Sequence, residues 1–96
     1  MTQLDLIRAN REAIKAIVSK YGCSNPRIFG SVAQGKETAK SDIDILIDTG
    51  DDTNLFDLGG MYSELAQLLS ADIDLVTSTQ VPEDAIDQVI GRAIPV

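Results

Sequence analysis

The sequence predicts a mixed α/β domain in which a small mixed β-sheet packs against about four helices. Residues 42–48 read DIDILID and residues 72–77 read DIDLVT, and apolar and polar residues alternate as in strands with one buried face. Residues 55–69 instead repeat apolar side chains every three to four positions, which is the period of an amphipathic helix. No linker, repeat or low-complexity tract interrupts the chain, so we expect residues 1–96 to form one domain.

The remaining elements follow from helical spacing and from turn residues. Gly22 is a plausible stop for the first helix, Asn25-Pro26 predicts a turn, and Pro82 fits the first turn of the last helix. A further helical turn or two is expected just after Ser31. The predicted order is helix, strand, strand, helix, strand, helix over 3–21, 27–29, 42–48, 55–69, 72–77 and the stretch from Pro82 to Pro95.

Several side chains receive a structural interpretation. Leu55 belongs to the apolar stripe of the helix over 55–69, and Tyr21 and Tyr62 are expected in the core. Asp48 and Asp57 are expected on a solvated acidic rim.

The composition limits both the partners and the chemistry. A net charge of -7 argues against broad binding to nucleic acid or to anionic membranes, because both require a basic surface. The single cysteine, Cys23, excludes an internal disulfide, and no apolar run is long enough to cross a bilayer, so the expected location is cytoplasmic. Because the chain has no histidine, catalysis must use carboxylates, backbone amides, hydroxyls, lysines or metal ions.

The first pair of strand aspartates predicts a metal site. Asp42 and Asp44 share one face of their strand, about 7 Å apart along it. Two like charges at that distance repel, and a divalent cation such as Mg²⁺ relieves the repulsion. The alternative is that these aspartates lie on a solvated strand face or at a strand start, and that alternative is stronger for Asp72 and Asp74.

The glycine-serine pair before this strand predicts an anion site. Gly30-Ser31 ends one strand and precedes a predicted helical turn, where unpaired backbone N–H groups bind anions. Taken alone, such a pair is far more often a simple turn with the serine, here Ser31, as a helix cap. An anion-binding turn joined by one loop to a metal-binding strand suits a nucleoside triphosphate held through its phosphates and Mg²⁺.

Together these residues resemble a known signature. The run GSVAQGKETAKSDIDIL, residues 30–46, is similar to the G-S-x-A-x-G…S-D-x-D signature of the DNA polymerase β-like nucleotidyltransferases. The chain resembles most closely the single-domain group called minimal nucleotidyltransferases, over nearly its whole length.

The resemblance implies a role for each matching residue. The nucleotide-binding residues would be Gly30, Ser31, Gly35, Lys36 and Ser41. The catalytic carboxylates, which also bind two Mg²⁺ ions, would be Asp42, Asp44 and Asp74.

One position departs from the pattern of the relatives. Many of them carry arginine where this chain has Gln34, so a cationic contact to the phosphates is in doubt. Lys36 and Lys40 are candidates to replace it, although lysines in such a loop are more often solvated.

The resemblance also implies a partner. Minimal nucleotidyltransferases of this group resemble antitoxins that transfer AMP from ATP to a tyrosine of a HEPN-type ribonuclease toxin encoded by a neighbouring gene. Two alternatives stay open: a protein that neutralises its partner by binding alone, and transfer to an antibiotic-like small molecule. The second suits a short chain less well, because it leaves no room for a domain that holds a free acceptor. Self-association or assembly with the partner is also open, because a small sheet has edges to cover.

Overall fold

The computed structural model describes residues 3–30, 42–85, 91 and 93–96. Its helices and strands are α1 (Gln3–Ala9), α2 (Arg11–Lys20), β1 (Ser24–Phe29), β2 (Ile43–Asp48), α3 (Leu55–Leu69), β3 (Ile73–Thr77) and β4 (Ile94–Pro95). Two short 3-10 turns follow β3, at Ser78–Gln80 and Glu83–Ala85. The mixed α/β class predicted from the sequence is therefore confirmed, and the described part of the chain contains three helices.

The four strands form one mixed sheet in the order β3-β2-β1-β4. β2 runs parallel to β3, whereas β1 runs antiparallel to both β2 and β4. β2 therefore lies inside the sheet, with β1 on one side and β3 on the other. Side chains of this strand have neighbours on both flanks.

One face of the sheet builds the hydrophobic core. Ile43, Ile45 and Ile47 alternate along β2 and are fully buried among apolar side chains of the helices. Since successive side chains point to opposite faces, Asp44 and Asp48 lie on the face away from this core. The sheet thus separates an apolar side, covered by helices, from a side that carries the aspartates.

α3 has the bounds that the sequence predicts, and its ends are well defined. Asn54 accepts a hydrogen bond from the backbone N–H of Asp57, whose carboxylate accepts one in return from the N–H of Asn54. This reciprocal capping box satisfies two N–H groups of the first turn that would otherwise lack partners. The buried side of the helix consists of Met61, Leu65 and Leu69. Leu55 and Tyr62, by contrast, are exposed, so their predicted core positions are wrong.

The terminal elements differ from the predictions in two places. The helix expected over 3–21 is interrupted at Asn10, whose side-chain amide donates 2.8 Å to the carbonyl of Leu6. Such local hydrogen bonding competes with helix continuation. The strand β4 was not predicted: it adds to β1, and the N–H of Val96 donates to the carbonyl of Pro26.

Two other predictions are corrected or fall outside the described residues. The turn expected at Asn25-Pro26 is a bulge inside β1, where Asn25 has φ 57°. Of the last predicted helix, the structure describes a 3-10 turn at Glu83–Ala85, and residues 86–90 lie outside the described ranges. None of the helices in the described ranges combines the length and the apolar character that a membrane crossing requires.

Candidate active site

Asp44 is the centre of the candidate active site. Its register partner in β3 is Asp74, and its register partner in β1 is Phe29. Paired residues of neighbouring strands point to the same face, so the two carboxylates lie side by side, with backbones about 4.8 Å apart. Asp44 is half-buried and Asp74 is exposed. The structure therefore brings together the two strand aspartates that the sequence placed thirty residues apart.

The surroundings of the Asp44 carboxylate disfavour its negative charge. Burial raises the pKa of Asp44 above its usual range, and the negative charges of Asp74 and then Asp42 raise it further. Asp42 directly precedes β2 and is exposed. Within residues 3–30 and 42–85, the charged groups that shift the pKa of Asp44 are both carboxylates, so this part of the chain offers its charge no compensation.

Gly30 brings the chain directly against Asp44. It follows β1 with φ 73°, a backbone conformation that L-residues with side chains rarely adopt. A Cβ atom at this position would overlap the Asp44 carboxylate. Any residue except glycine would therefore have to displace the carboxylate or change the turn. Gly30, the first residue of the signature predicted to hold phosphates, thus lies beside the central carboxylate.

The other predicted nucleotide-binding residues lie outside the described ranges. These are Ser31, Gly35, Lys36 and Ser41, together with the substituted position Gln34. Their roles remain predictions. The described part of the site consists of Gly30, Asp42, Asp44 and Asp74.

The donor set suits a hard divalent cation that shares its ligands with a substrate. Within residues 3–30, 42–85, 91 and 93–96, no three His, Cys, Asp or Glu side chains group closely enough to hold a metal ion. Mg²⁺, however, is commonly bound by only one or two carboxylates, with phosphate oxygens and water completing its octahedron. Asp44 and Asp74 can supply such a pair, because their carboxylates share one face in register. The residues present therefore fit Mg²⁺ bound together with a nucleotide.

A second aspartate on this face has a different environment. Asp48 forms an ion pair with Arg27, in which a guanidinium nitrogen lies 2.6 Å from a carboxylate oxygen. It also accepts a hydrogen bond from the side-chain amide of Asn25. Burial by itself raises the pKa of Asp48, but hydrogen bonds from Ser78, Arg27 and Asn25 outweigh it and hold the pKa below its usual value. The Asp48 side chain is 37% exposed, as expected for an acidic rim, but it is also paired with Arg27, which the sequence does not predict. Sequence reasoning missed this pair because only the register of β1 and β2 brings the two side chains together.

The fold and the site agree with the family comparison. A family model described as "Polymerase beta, Nucleotidyltransferase" matches residues 12–96. This match covers most of the chain and includes every described site residue. The chain belongs to the polymerase beta nucleotidyltransferase family, and it is a nucleotidyltransferase by class.

Individual relatives support this assignment. A Methanocaldococcus jannaschii protein named "Putative protein adenylyltransferase MJ0435" is 31% identical over 90% of this chain and 92% of its own length. A solved structure of a "putative minimal nucleotidyltransferase" superposes with TM-score 0.89 and 31% identity, and covers 100% of this chain and 97% of that one. A solved toxin-antitoxin complex with AMP-PNP contains a chain with TM-score 0.74 and 25% identity, covering 90% of this chain and 71% of that one.

Proposed function

We propose that this chain transfers AMP from Mg²⁺-bound ATP to a hydroxyl group of a partner protein. The observation that carries the proposal is the contact of the Gly30 turn with Asp44, whose register partner is Asp74. A turn that presents backbone groups beside two carboxylates suits a nucleotide whose phosphates carry a cation. The matching relative named as an adenylyltransferase supports AMP as the transferred group.

The proposed site residues have two roles, the binding of the triphosphate and the binding of Mg²⁺. Gly30 and Ser31 would bind the triphosphate, and Asp42, Asp44 and Asp74 would hold two Mg²⁺ ions. When bound, these ions neutralise the phosphate charge and stabilise the attacking and leaving oxygens. A cation held here would also offset the burial and the repulsion from Asp74 and Asp42 that raise the pKa of Asp44.

The reaction is a displacement at the α-phosphorus of ATP. The acceptor oxygen forms a bond to this phosphorus, the bond to the bridging oxygen breaks, and pyrophosphate leaves. The proton of the acceptor hydroxyl must move to a base, and the chain has no histidine to receive it. Asp74 is the more exposed carboxylate of the central pair, so an incoming hydroxyl reaches it more readily than it reaches Asp44.

The acceptor that fits this proposal is a tyrosine of a HEPN-type toxin, which would make the chain an antitoxin. One observation supports a protein acceptor: a similar solved chain belongs to a toxin-antitoxin complex with AMP-PNP. The competing hypothesis is an antitoxin that acts by binding alone. The presence of Gly30, Asp42, Asp44 and Asp74 favours catalysis.

The nucleotide site can be tested without a partner. Isothermal titration of the chain with AMP-PNP should give Mg²⁺-dependent binding, and Asp44→Asn should abolish it. Asp52→Asn is the matched control, because it removes the same charge from an exposed loop residue. Equal binding by all three proteins would contradict the assignment of Asp44 as a metal ligand.

The transfer itself is tested by intact mass spectrometry of the protein encoded by the neighbouring gene. After incubation with this chain, ATP and Mg²⁺, that protein should gain whole AMP units, and it should gain none with Asp44→Asn. A stable complex without any gain in mass would replace the catalytic proposal with neutralisation by binding.

A further inference from the structure

The exposed face of α3 carries no charged residue. It consists of Leu55, Phe56, Gly59, Tyr62, Ser63 and Gln67. Leu55 is 84% exposed, Phe56 91% and Tyr62 43%, which makes them the most exposed large hydrophobic side chains among the described residues. Charged residues make up 24% of the sequence, so an uncharged helix face with three large apolar groups is unusual for this chain. Grouped apolar side chains of this kind mark an interaction surface.

The two charged residues of α3 are occupied elsewhere. Asp57 belongs to the capping box with Asn54. Glu64 accepts hydrogen bonds from Lys20 and from the Tyr21 hydroxyl. Both acids therefore serve the fold, and the exposed face is left without charge.

Gly59 is the second observation. Glycine in a helix interior costs about 1 kcal/mol relative to alanine, so its presence calls for a packing reason. Gly60 has one: a Cβ there would approach the Tyr21 ring to 2.8 Å. Gly59 has none, because no atom of the described chain lies within 4 Å of a Cβ built on it. Its missing side chain leaves a notch at the centre of the exposed face.

The arrangement around Gly59 is self-complementary. Phe56 and Tyr62 lie three residues before and after it, and Leu55 and Ser63 lie four residues before and after it. If two copies of α3 cross antiparallel at Gly59, each Phe56 meets the Tyr62 of the other copy, and each Leu55 meets the Ser63. Such reciprocal contacts define a two-fold interface, and offset or edge-to-face aromatic pairs add to the apolar burial.

We infer that this face pairs two copies of the chain through α3. The charge pattern selects this occupant: each copy carries a net charge of -7, so any acid in a shared interface would be repelled, and the face contains none. A basic partner would find no carboxylate on this face to pair with. One 15-residue helix offers limited area, and like net charges repel at long range, so we expect a dissociation constant on the order of micromolar rather than nanomolar.

This dimer leaves the nucleotide sites accessible. The buried side of α3 packs on the core face of the sheet, whereas Asp44 lies on the opposite face. The two candidate active sites therefore point away from the α3 interface. Dimerisation and AMP transfer are separate properties, so either can fail without the other.

Sedimentation velocity of the whole chain over a concentration series tests the interface. The wild type should show a reversible monomer–dimer equilibrium that strengthens with salt, because salt screens the repulsion between like net charges. Phe56→Glu should raise the dissociation constant of the dimer by roughly 30-fold or more, as expected for an aromatic anchor. Ala16→Glu is the matched control: it adds the same charge to an exposed position of α2 and should change the constant far less.

Gly59 provides an independent readout. Gly59→Leu should fill the notch and weaken the dimer, while raising the helix stability of the monomer, measured by thermal unfolding at low concentration. Gly59→Cys should form a disulfide between copies under mild oxidation, whereas Ala16→Cys should not.

Two results would overturn the inference. The first is a wild type that stays monomeric at every concentration and salt, and the second is a dimer that Phe56→Glu leaves intact. A monomeric chain whose binding to the neighbour-encoded protein is lost in Phe56→Glu would assign the face to that partner instead of a second copy.

Discussion

Asp44 and Asp48 lie four residues apart on the same face of β2, and the chain treats their charges in opposite ways. Asp48 forms an ion pair with Arg27 at 2.6 Å and accepts a hydrogen bond from Asn25. These contacts hold the pKa of Asp48 below its usual value. Asp44 stands beside Asp74, and burial and neighbouring carboxylates raise its pKa. One strand therefore carries a carboxylate that is paired with a cation and another that, among the described residues, has only carboxylates as charged neighbours.

The difference separates a structural carboxylate from a functional one. A buried or half-buried charge is costly, and a fold normally offsets it with a cation or with hydrogen-bond donors. Where a fold instead places a second carboxylate in register, the offset must come from a ligand, which makes the position a candidate site. Sequence alternation alone cannot make this distinction, because both aspartates occupy equivalent positions of the strand pattern.

The largest effect on AMP transfer is expected from the substitution of Asp44. Asp44→Asn should lower AMP transfer by on the order of 10³-fold, which is typical for the loss of one preorganised electrostatic contact. The same change should raise the free energy of unfolding by about 1 kcal/mol in the absence of ligands, because it removes a repelled charge. Transfer assays and urea unfolding of the same samples measure both. An unfolding free energy that falls together with activity would indicate that Asp44 supports the fold.

Gly30→Ala should have the next largest effect. A Cβ at Gly30 would overlap the Asp44 carboxylate, and the φ of 73° is strained for alanine. We expect a loss of transfer on the order of 10²-fold and a destabilisation of roughly 1–3 kcal/mol. Gly59→Ala is the control for transfer, since nothing in the described chain crowds that position, and it should raise the stability by about 1 kcal/mol through the higher helix propensity of alanine. Full activity of Gly30→Ala would show that the turn does not set the position of Asp44.

Much of this fold could be predicted from periodicity, because the strongest patterns coincide with the best-packed elements. The bounds predicted for α3 are those observed, and the alternation in residues 42–48 correctly places Ile43, Ile45 and Ile47 on the core face. The exposed Leu55 shows the limit of this reasoning. A helical stripe includes every apolar residue at the right spacing, whereas only the tertiary structure decides where the core ends.

The site could be predicted only in part. The glycine turn and the aspartates followed from local sequence, but the pairing of Asp44 with Asp74 depends on a parallel register between strands thirty residues apart. The Arg27–Asp48 pair depends in the same way on the antiparallel register of β1 and β2. β4 was missed because a two-residue strand has no period to detect.

A smaller effect is expected when the neutralised carboxylate is changed. Asp48→Asn leaves the Arg27 guanidinium, which is only 11% exposed, without its ion pair. The free energy of unfolding should fall by about 1 kcal/mol, because a largely buried guanidinium loses its counter-charge while solvent screening of the exposed carboxylate limits the loss. AMP transfer per folded molecule should change no more than a few-fold. The double variant Arg27→Met, Asp48→Asn should recover part of the stability, and no recovery would mean that the pair is not coupled.

The smallest effect is the pH dependence of stability, and here the two aspartates should have opposite signs. The folded-state pKa of Asp48 is lowered, so its contribution is present above the unfolded value of about 4 and is lost as pH falls through the folded value. The folded-state pKa of Asp44 is raised, so its contribution is present below the unfolded value and is lost as pH rises through the folded value.

Urea unfolding at neutral and at acid pH measures both effects. Between the two pH values, the wild type should lose more stability than Asp48→Asn and less stability than Asp44→Asn. Because the Asp48 carboxylate is 37% exposed and solvent screens its ion pair, the first difference should stay below about 1 kcal/mol. If Asp44→Asn and Asp48→Asn gave identical curves of stability against pH, the two carboxylates would not differ in their contribution to acid stability.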